Sequence, residues 1–139
     1  LGDVYKRQGI KYAGDVIGRI DKSDFFNTPQ IGTWTPDDLS GLEHSFDVTK
    51  LVKAPGKYTV TLLYDKGAHA IEIESAALYE GAREIARDVH AGKSGTHKEN
   101  IQYILNVPEA RQGASYTVKA RFKGAGGSDS YGTVYCEAP

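Results

Sequence analysis

The sequence predicts an all-β domain, a sandwich or barrel of about eight antiparallel strands. Apolar and polar residues alternate through most of the chain, and Gly, Pro, Asp and Asn separate the alternating segments at regular intervals. No segment combines the length and periodicity of a long helix. A doubly wound parallel fold needs crossover helices of about 10–15 residues, so that fold is excluded.

The strongest strand signal lies at the centre of the chain. In residues 57–64, tyrosine and aliphatic side chains occupy every second position, with threonines between them. A tight turn is predicted at 65–68, because Gly67 can adopt positive φ. The alternation resumes over 69–79, and we expect the two strands to pair as a β-hairpin. The predicted apolar face of the second strand comprises Ile71, Ile73, Ala77 and Tyr79, and the opposite face carries Glu72 and Glu74.

Further short strands are predicted on both sides of this pair. Residues 82–90 follow a turn at 80–81 and form either a strand that pairs with the preceding one or a short helix. The remaining predicted strands are 16–20, 31–34, 44–48, 101–107, 116–122 and 132–136. A single helical turn is expected at 38–42 or 48–52. No internal repeat or long linker divides the chain, which predicts one domain.

Composition excludes several classes of partner. The 17 basic and 18 acidic residues give a net charge of −1, which offers no basis for binding nucleic acid or an anionic membrane. No apolar run is long enough to span a bilayer, and no signal-peptide pattern is present. The single cysteine, Cys136, cannot form an internal disulfide and is expected to be a small buried apolar residue.

The beginning of the sequence is unusual. The chain contains no Met, and residues 1–8 (LGDVYKRQ) resemble a translated sequencing-adapter string found in metagenomic assemblies. We therefore expect a fragment whose residues 1–8 are an artefact or disordered, followed by a single β-sandwich accessory domain over 9–139. The alternative is a genuine N-terminal strand.

Several short motifs together resemble one family. They are 31–36 (IGTWTP), 46–49 (FDVT), 56–60 (GKYTV), 67–71 (GAHAI), 77–80 (ALYE), 88–92 (DVHAG) with 94–95 (SG), and 129–134 (DSYGTV). In this order, over about residues 10–136, the chain is similar to the galactose-binding-like C-terminal accessory domains of secreted bacterial glycoside hydrolases, such as β-hexosaminidases and fucosidases. The resemblance implies a jelly-roll sandwich that binds sugar, or supports a covalently linked catalytic domain, in a secreted, periplasmic or cell-surface protein.

Sugar binding needs an aromatic platform and planar polar side chains. Trp34, the only tryptophan, and Tyr131, which follows a Gly-rich loop, are the candidate platforms. Trp34 is equally suited to the core. Asp88 and His90 lie two residues apart and share one side of an extended segment, where they could grip a sugar diol. Alternatively, they hydrogen-bond each other and hold the following loop. Asp129 completes the predicted ligand-binding set.

Metal binding and catalysis have weaker support. His69, His90 and His97 lack the close spacing of a zinc site. A structural calcium could use oxygens from the acidic residues Asp21, Asp24, Asp37, Asp38 and Asp129, which follow no known loop pattern. Glu72 and Glu74 are read as solvated charges, and no nucleophile elbow or P-loop is present. The sequence thus predicts a non-catalytic module without a cofactor.

Three functions stay open at this point. The first is a carbohydrate-binding module that targets an attached glycoside hydrolase to glycans through Trp34, Asp88, His90, Asp129 and Tyr131. The second is a structural β-sandwich domain that packs against a catalytic partner without binding sugar. The third is an adhesin module that recognises protein.

Overall fold

The computed structural model describes residues 20–36, 43–123 and 129–139. Within these ranges two antiparallel sheets stack face to face, preceded by a short 3-10 helix at Lys22–Phe25. The strands are β1 (Gln30–Trp34), β2 (Glu43–Asp47), β3 (Gly56–Lys66), β4 (Ile71–Glu80), β5 (Arg83–Ser94), β6 (Lys98–Glu99), β7 (Gln102–Val107), β8 (Tyr116–Phe122) and β9 (Tyr131–Glu137). The four-stranded sheet has the order β1-β9-β3-β7, and the five-stranded sheet has the order β2-β8-β4-β5-β6.

The strand pairing is that of a jelly roll. Apart from the two-residue β6, the strands pair from the outside inwards: β1 with β9, β2 with β8, β3 with β7, and β4 with β5. This nested order arises when a long antiparallel ribbon folds over into two sheets. The predicted all-β, antiparallel jelly-roll sandwich is confirmed, with β6 as a short addition to the eight expected strands.

The predicted hairpin between β3 and β4 is wrong. The structure places β3 between β9 and β7 in one sheet, and β4 between β8 and β5 in the other. The connecting segment therefore crosses between the sheets. Gly67 adopts a φ of +122°, and a Cβ at this position would lie 1.9 Å from the backbone oxygen of Asp129. A hairpin and a crossover both require alternating strands and a flexible turn, so the local sequence does not distinguish them.

The predicted faces of β4 are correct only in its first half. Against β8 the register shifts between Ile73 and Ser75, where β4 has one residue more than its partner, which marks a β-bulge at Glu74. Because the bulge adds one residue, Ala76 and Leu78 join Ile71 and Ile73 in the core. Ala77 and Tyr79, which were predicted on the isoleucine face, lie on the opposite face.

The other strand predictions that fall in the described residues are confirmed. The segment 82–90 is part of β5 and pairs with β4, which rejects the helical alternative. At 48–52 the amides of Leu51 and Val52 both donate to the carbonyl of Val48 and form the expected helical turn. The predicted artefact at 1–8, most of the predicted strand at 16–20, and the predicted turn at 38–42 lie outside the described residues.

Both faces of the four-stranded sheet are covered. Aromatic side chains fill the space between the sheets, and the largest buried ones are Trp34, Tyr58, Tyr103, Tyr116 and Phe122. On the outer face, Phe25 stacks on Tyr135 with ring centroids 4.7 Å apart, and Leu63 is also buried. The segment 20–29 therefore belongs to the domain, because it shields apolar side chains of β3 and β9 from water.

Cys136 is 1% exposed, as expected for a small core residue. Burial raises the pKa of its thiol to about 12, so the thiolate needed for nucleophilic chemistry is not formed at neutral pH. Among the described residues, no helix has the length and apolar character needed to cross a bilayer.

Gly132 should tolerate substitution poorly because the indole of Trp34 lies directly above it. A Cβ on Gly132 would come within 2.1 Å of the ring, and we expect Gly132→Ala to lower the free energy of unfolding by about 3 kcal/mol. Gly81→Ala is the matched control. No atom lies within 4 Å of its Cβ position, and only the left-handed φ of +59° should cost about 1 kcal/mol. Equal urea midpoints for the two variants would contradict this packing.

Candidate functional site

Trp34 is a core residue. Its side chain is 1% exposed, its Nε1 donates to Ser130 Oγ at 3.1 Å, and its ring packs against Phe122 at a centroid distance of 6.1 Å. A sugar needs an accessible ring face for stacking. The expectation that Trp34 serves as a sugar platform is therefore not met, and the alternative, core packing, describes its position.

Asp88 and His90 join the two sheets. Asp88 Oδ1 lies 3.0 Å from His90 Nδ1, and Asp88 Oδ2 accepts the backbone amide of Ile104 on β7 at 2.7 Å. His90 Nε2 lies 2.9 Å from the carbonyl oxygen of Asn100. Every ring nitrogen and carboxylate oxygen of the pair thus has a protein partner. This is the structural alternative foreseen for the pair, and it leaves little capacity for gripping a diol.

The same edge of the sandwich carries further polar contacts. The ring of His90 stacks on Tyr103 at 3.9 Å, and the Tyr103 hydroxyl donates to the carbonyl of His90 at 2.9 Å. Burial raises the pKa of Tyr103, which keeps its hydroxyl protonated as a donor. Ser94 Oγ donates to the carbonyl of Leu62 and accepts the amide of Tyr64. We call these contacts between β5 and the edge of the four-stranded sheet the β5–β7 seam.

Asp129 holds the crossover between β3 and β4. Its two carboxylate oxygens accept the backbone amides of Ala68 at 3.1 Å and His69 at 3.0 Å, and Oδ1 also lies 2.9 Å from His69 Nδ1. The hydrogen bond with the His69 ring is the main reason why the pKa of Asp129 lies below its ordinary value. Asp129 is thus a positioning residue that fixes the loop and the imidazole.

Tyr131 is the candidate sugar platform that reaches solvent. The residue is 38% exposed, and Lys66 Nζ lies 4.7 Å from its ring centroid. Lys66 and Tyr131 are register partners in the β3–β9 pair, and His69, with 68% of its side chain exposed, lies just beyond on the crossover. We call Lys66, His69, Asp129 and Tyr131 the loop-end cluster.

The five predicted site residues therefore divide into separate groups. Asp129 and Tyr131 lie together at the loop end, with Trp34 buried beneath them through Ser130. Asp88 pairs with Ala76, five residues along β4 from Ile71 at the loop end, which corresponds to roughly 16 Å of strand. The loop-end cluster and the Asp88–His90 pair are therefore distinct features of the domain.

Lys66 and His69 were not predicted as site residues. Lys66 lies within the turn predicted at 65–68 and His69 directly follows it, and such a turn is typical of a simple strand connection. Their partners, Tyr131 and Asp129, lie some 60 residues later in the chain. Only the β3–β9 pairing brings the two segments together, and no local pattern in the sequence signals it.

Asp21, Asp24 and Glu74, which were considered for calcium or catalysis, have structural partners. Asp21 and Asp24 form a capping box on the 3-10 helix, while Asp37 and Asp38 lie outside the described residues. Glu74 is exposed and pairs with Arg121 Nε at 3.2 Å. Across the described ranges, no three His, Cys, Asp or Glu side chains are grouped as metal ligands.

Comparison with known proteins adds no family. No protein-family model matches the chain, and no curated protein matches its sequence. The chemistry available at the surface is that of the loop-end cluster: an aromatic ring, an ammonium group, and an imidazole held by a carboxylate. This combination can pack against an apolar ring face and hydrogen-bond to hydroxyl groups.

Asp88→Ala should loosen the β5–β7 seam. The Ile104 amide and the His90 ring would lose their acceptor, and we expect the free energy of unfolding to fall by about 2 kcal/mol. Faster hydrogen exchange at the Ile104 amide should accompany this loss. Glu74→Ala, which removes an exposed ion pair, should cost about 0.5 kcal/mol or less. An unchanged hydrogen-exchange rate at the Ile104 amide would show that its hydrogen bond to Asp88 does not hold the two sheets together.

The crossover held by Asp129 should open in acid. Because the folded pKa of Asp129 lies below its ordinary value of 3.8, its contribution is present above pH 3.8 and is lost as the pH falls through the lower folded value. Amide chemical shifts of Ala68 and His69 should therefore titrate below pH 3.8. Asp129→Asn should abolish this titration. Titration of the Asp129 side-chain carboxyl signal above pH 3.8 in the parent protein would contradict the assignment.

Proposed function

We propose that this domain is a non-catalytic carbohydrate-binding module that targets an attached glycoside hydrolase to glycans, with the loop-end cluster as its sugar site. The observation that carries the proposal is the exposed ring of Tyr131 beside the His69–Asp129 pair. The C–H face of a sugar packs on an aromatic ring, and its hydroxyls need nearby polar partners. The site predicted from the sequence is thereby reduced to Asp129 and Tyr131 and extended by Lys66 and His69.

The cluster is positioned before any ligand arrives. Lys66 lies over the ring of Tyr131, and Asp129 holds His69 through both its backbone amide and its ring. A preorganised site loses less conformational entropy on binding. With one aromatic ring and an open setting, binding should be weak, with a Kd on the order of 1 mM. Covalent attachment to an enzyme would compensate by raising the effective concentration of the site near its glycan.

The resemblance to galactose-binding-like accessory domains supports the same function. The DSYGTV motif of that resemblance supplies Asp129 and Tyr131, and the GAHAI motif supplies His69. Both motifs meet at the loop end of the jelly roll. A secreted, periplasmic or cell-surface bacterial glycoside hydrolase is accordingly the parent protein that we propose.

Tyr131→Ala should weaken glycan binding about tenfold or more, because the stacking surface is lost. A glycan array identifies the ligand, and calorimetric titration measures the change in Kd. Tyr79→Ala is the matched control, since Tyr79 also carries a lysine, Lys119, over its ring at 4.3 Å but lies on the outer face of the five-stranded sheet. Equal losses for the two variants would argue against a sugar site at Tyr131.

Absence of binding to every glycan tested would favour a second function, a structural domain that packs against a covalently linked catalytic partner. One observation supports this alternative: Phe26 is 89% exposed on the segment that covers the four-stranded sheet. An aromatic side chain in that setting is suited to burial at a domain interface.

A further inference from the structure

A polar groove lies next to the loop-end cluster, on the outer side of the four-stranded sheet. It has a volume of about 520 Å³, and apolar surface from Leu63 and Tyr64 lies in it beside the polar side chains of Asp21, Lys22, Ser23, Asp65 and Lys98. Volumes of roughly 300–1,000 Å³ are typical of small-ligand sites. We call this the Lys98 groove. Three separate parts of the chain form it: the 3-10 helix, the end of β3, and β6.

The groove adjoins the loop-end cluster through β3. The β3–β9 register is irregular between Tyr64 and Lys66, and the consecutive residues Asp65 and Lys66 both reach β9 side chains. Asp65 accepts the hydroxyl of Thr133 at 2.7 Å, and Lys66 lies over Tyr131. A ligand stacked on Tyr131 therefore has the groove beside it.

The carboxylates of the groove are already bound by donors of the protein. Asp21 Oδ1 accepts the amide and the hydroxyl of Ser23, and these hydrogen bonds are the main reason why the pKa of Asp21 is lowered. Asp65 is held by Thr133 and lies 3.4 Å from Lys22 Nζ. Both carboxylates keep lone pairs that can accept from sugar hydroxyls.

Lys98 is the cation of the groove that lacks a direct counter-charge. It is half-buried in β6, where pairing with Ser94 fixes its backbone. Among the described residues, no carboxylate lies within ion-pair distance of Lys98 Nζ, although its charge acts on Asp21 from further away. An ammonium group with unused donors is suited to an anionic acceptor.

From these observations we propose that the Lys98 groove binds the carboxylate of an acidic sugar residue, with Lys98 as the counter-ion. The proposal rests on the proposed function, because the sugar ring stacks on Tyr131 while its acidic group, or that of the adjoining residue, enters the groove. Hydroxyls of the same sugar donate to Asp21 and Asp65. The preferred glycan is thus one that contains uronic acid or another carboxylated sugar.

Matched pairs of methyl glycosides test the charge preference on the whole chain: glucuronic acid against glucose, and galacturonic acid against galactose. Calorimetric or NMR titration should show tighter binding of a uronate than of its neutral partner by about fivefold or more, a preference that falls as salt is raised.

Lys98→Gln should remove this preference while leaving neutral-sugar binding within about twofold, and Lys98→Arg should retain it. Lys50→Gln, an exposed position in the loop between β2 and β3, is the matched control and should change neither.

The outcomes separate this inference from the proposed function. If neutral and acidic sugars bind equally well and Tyr131→Ala weakens both, the groove inference fails and the sugar site stands. If a uronate preference survives Lys98→Gln, the acidic group is bound elsewhere and the inference is overturned. If no sugar binds, both proposals fail. A urea midpoint for Lys98→Gln equal to that of the parent shows that lost preference reflects the missing ammonium group.

Discussion

The β5–β7 seam is the interaction on which the rest of this structure depends. A two-sheet sandwich leaves the amides and carbonyls of its edge strands without ladder partners. β7 is the edge strand, and its pairing with β3 extends only to Thr61, whereas β3 continues to Lys66. Both strands therefore need partners from outside their own sheet. β5 supplies them with side chains: Asp88 accepts from Ile104, and Ser94 bonds both Leu62 and Tyr64. The closure excludes water from one side of the core, and it explains why polar residues occupy inward positions of β5.

The seam also determines where the loop-end cluster and the Lys98 groove lie. Ser94 ties the end of β5 to Tyr64, immediately before Asp65 and Lys66, and it pairs with Lys98 of β6. The loop-end cluster and the Lys98 groove are thus anchored to the same closed edge, and Tyr64 belongs to both the groove and the seam. Residues with similar chemistry consequently have different roles. The polar atoms of Asp88 and His90 all bond to other groups of the protein, whereas Asp129 holds an imidazole, that of His69, which faces solvent.

Sequence alone predicts most strands of this fold, but not β6, the 3-10 helix or the grouping of residues at the loop end. Alternation identifies strands such as β3 and β8 because each has one face against the core. It does not report which strands are neighbours, and β3 and β4 were therefore wrongly paired. A single inserted residue at Glu74 reversed the faces of the rest of β4, which no periodic pattern anticipates. The sequence around Trp34 is compatible with either a buried or an exposed side chain. Lys66 and Tyr131 meet only through the β3–β9 pairing, so their proximity depends on the complete topology.

The nested strand order has a consequence for how the chain reaches this structure. β4 and β5 pair with each other across a two-residue turn, while β1 must find β9 from nearly the other end of the described chain. Loop closure becomes costlier as the loop lengthens, so folding should nucleate at the β4–β5 hairpin and add pairs outwards, on a millisecond-to-second timescale of roughly the kind seen in other β-sandwiches. Trp34 lies on β1, and its indole is buried against Gly132 and Ser130 of the β9 segment. The fluorescence of this single tryptophan therefore reports the last step of folding, the closure of β1 onto β9.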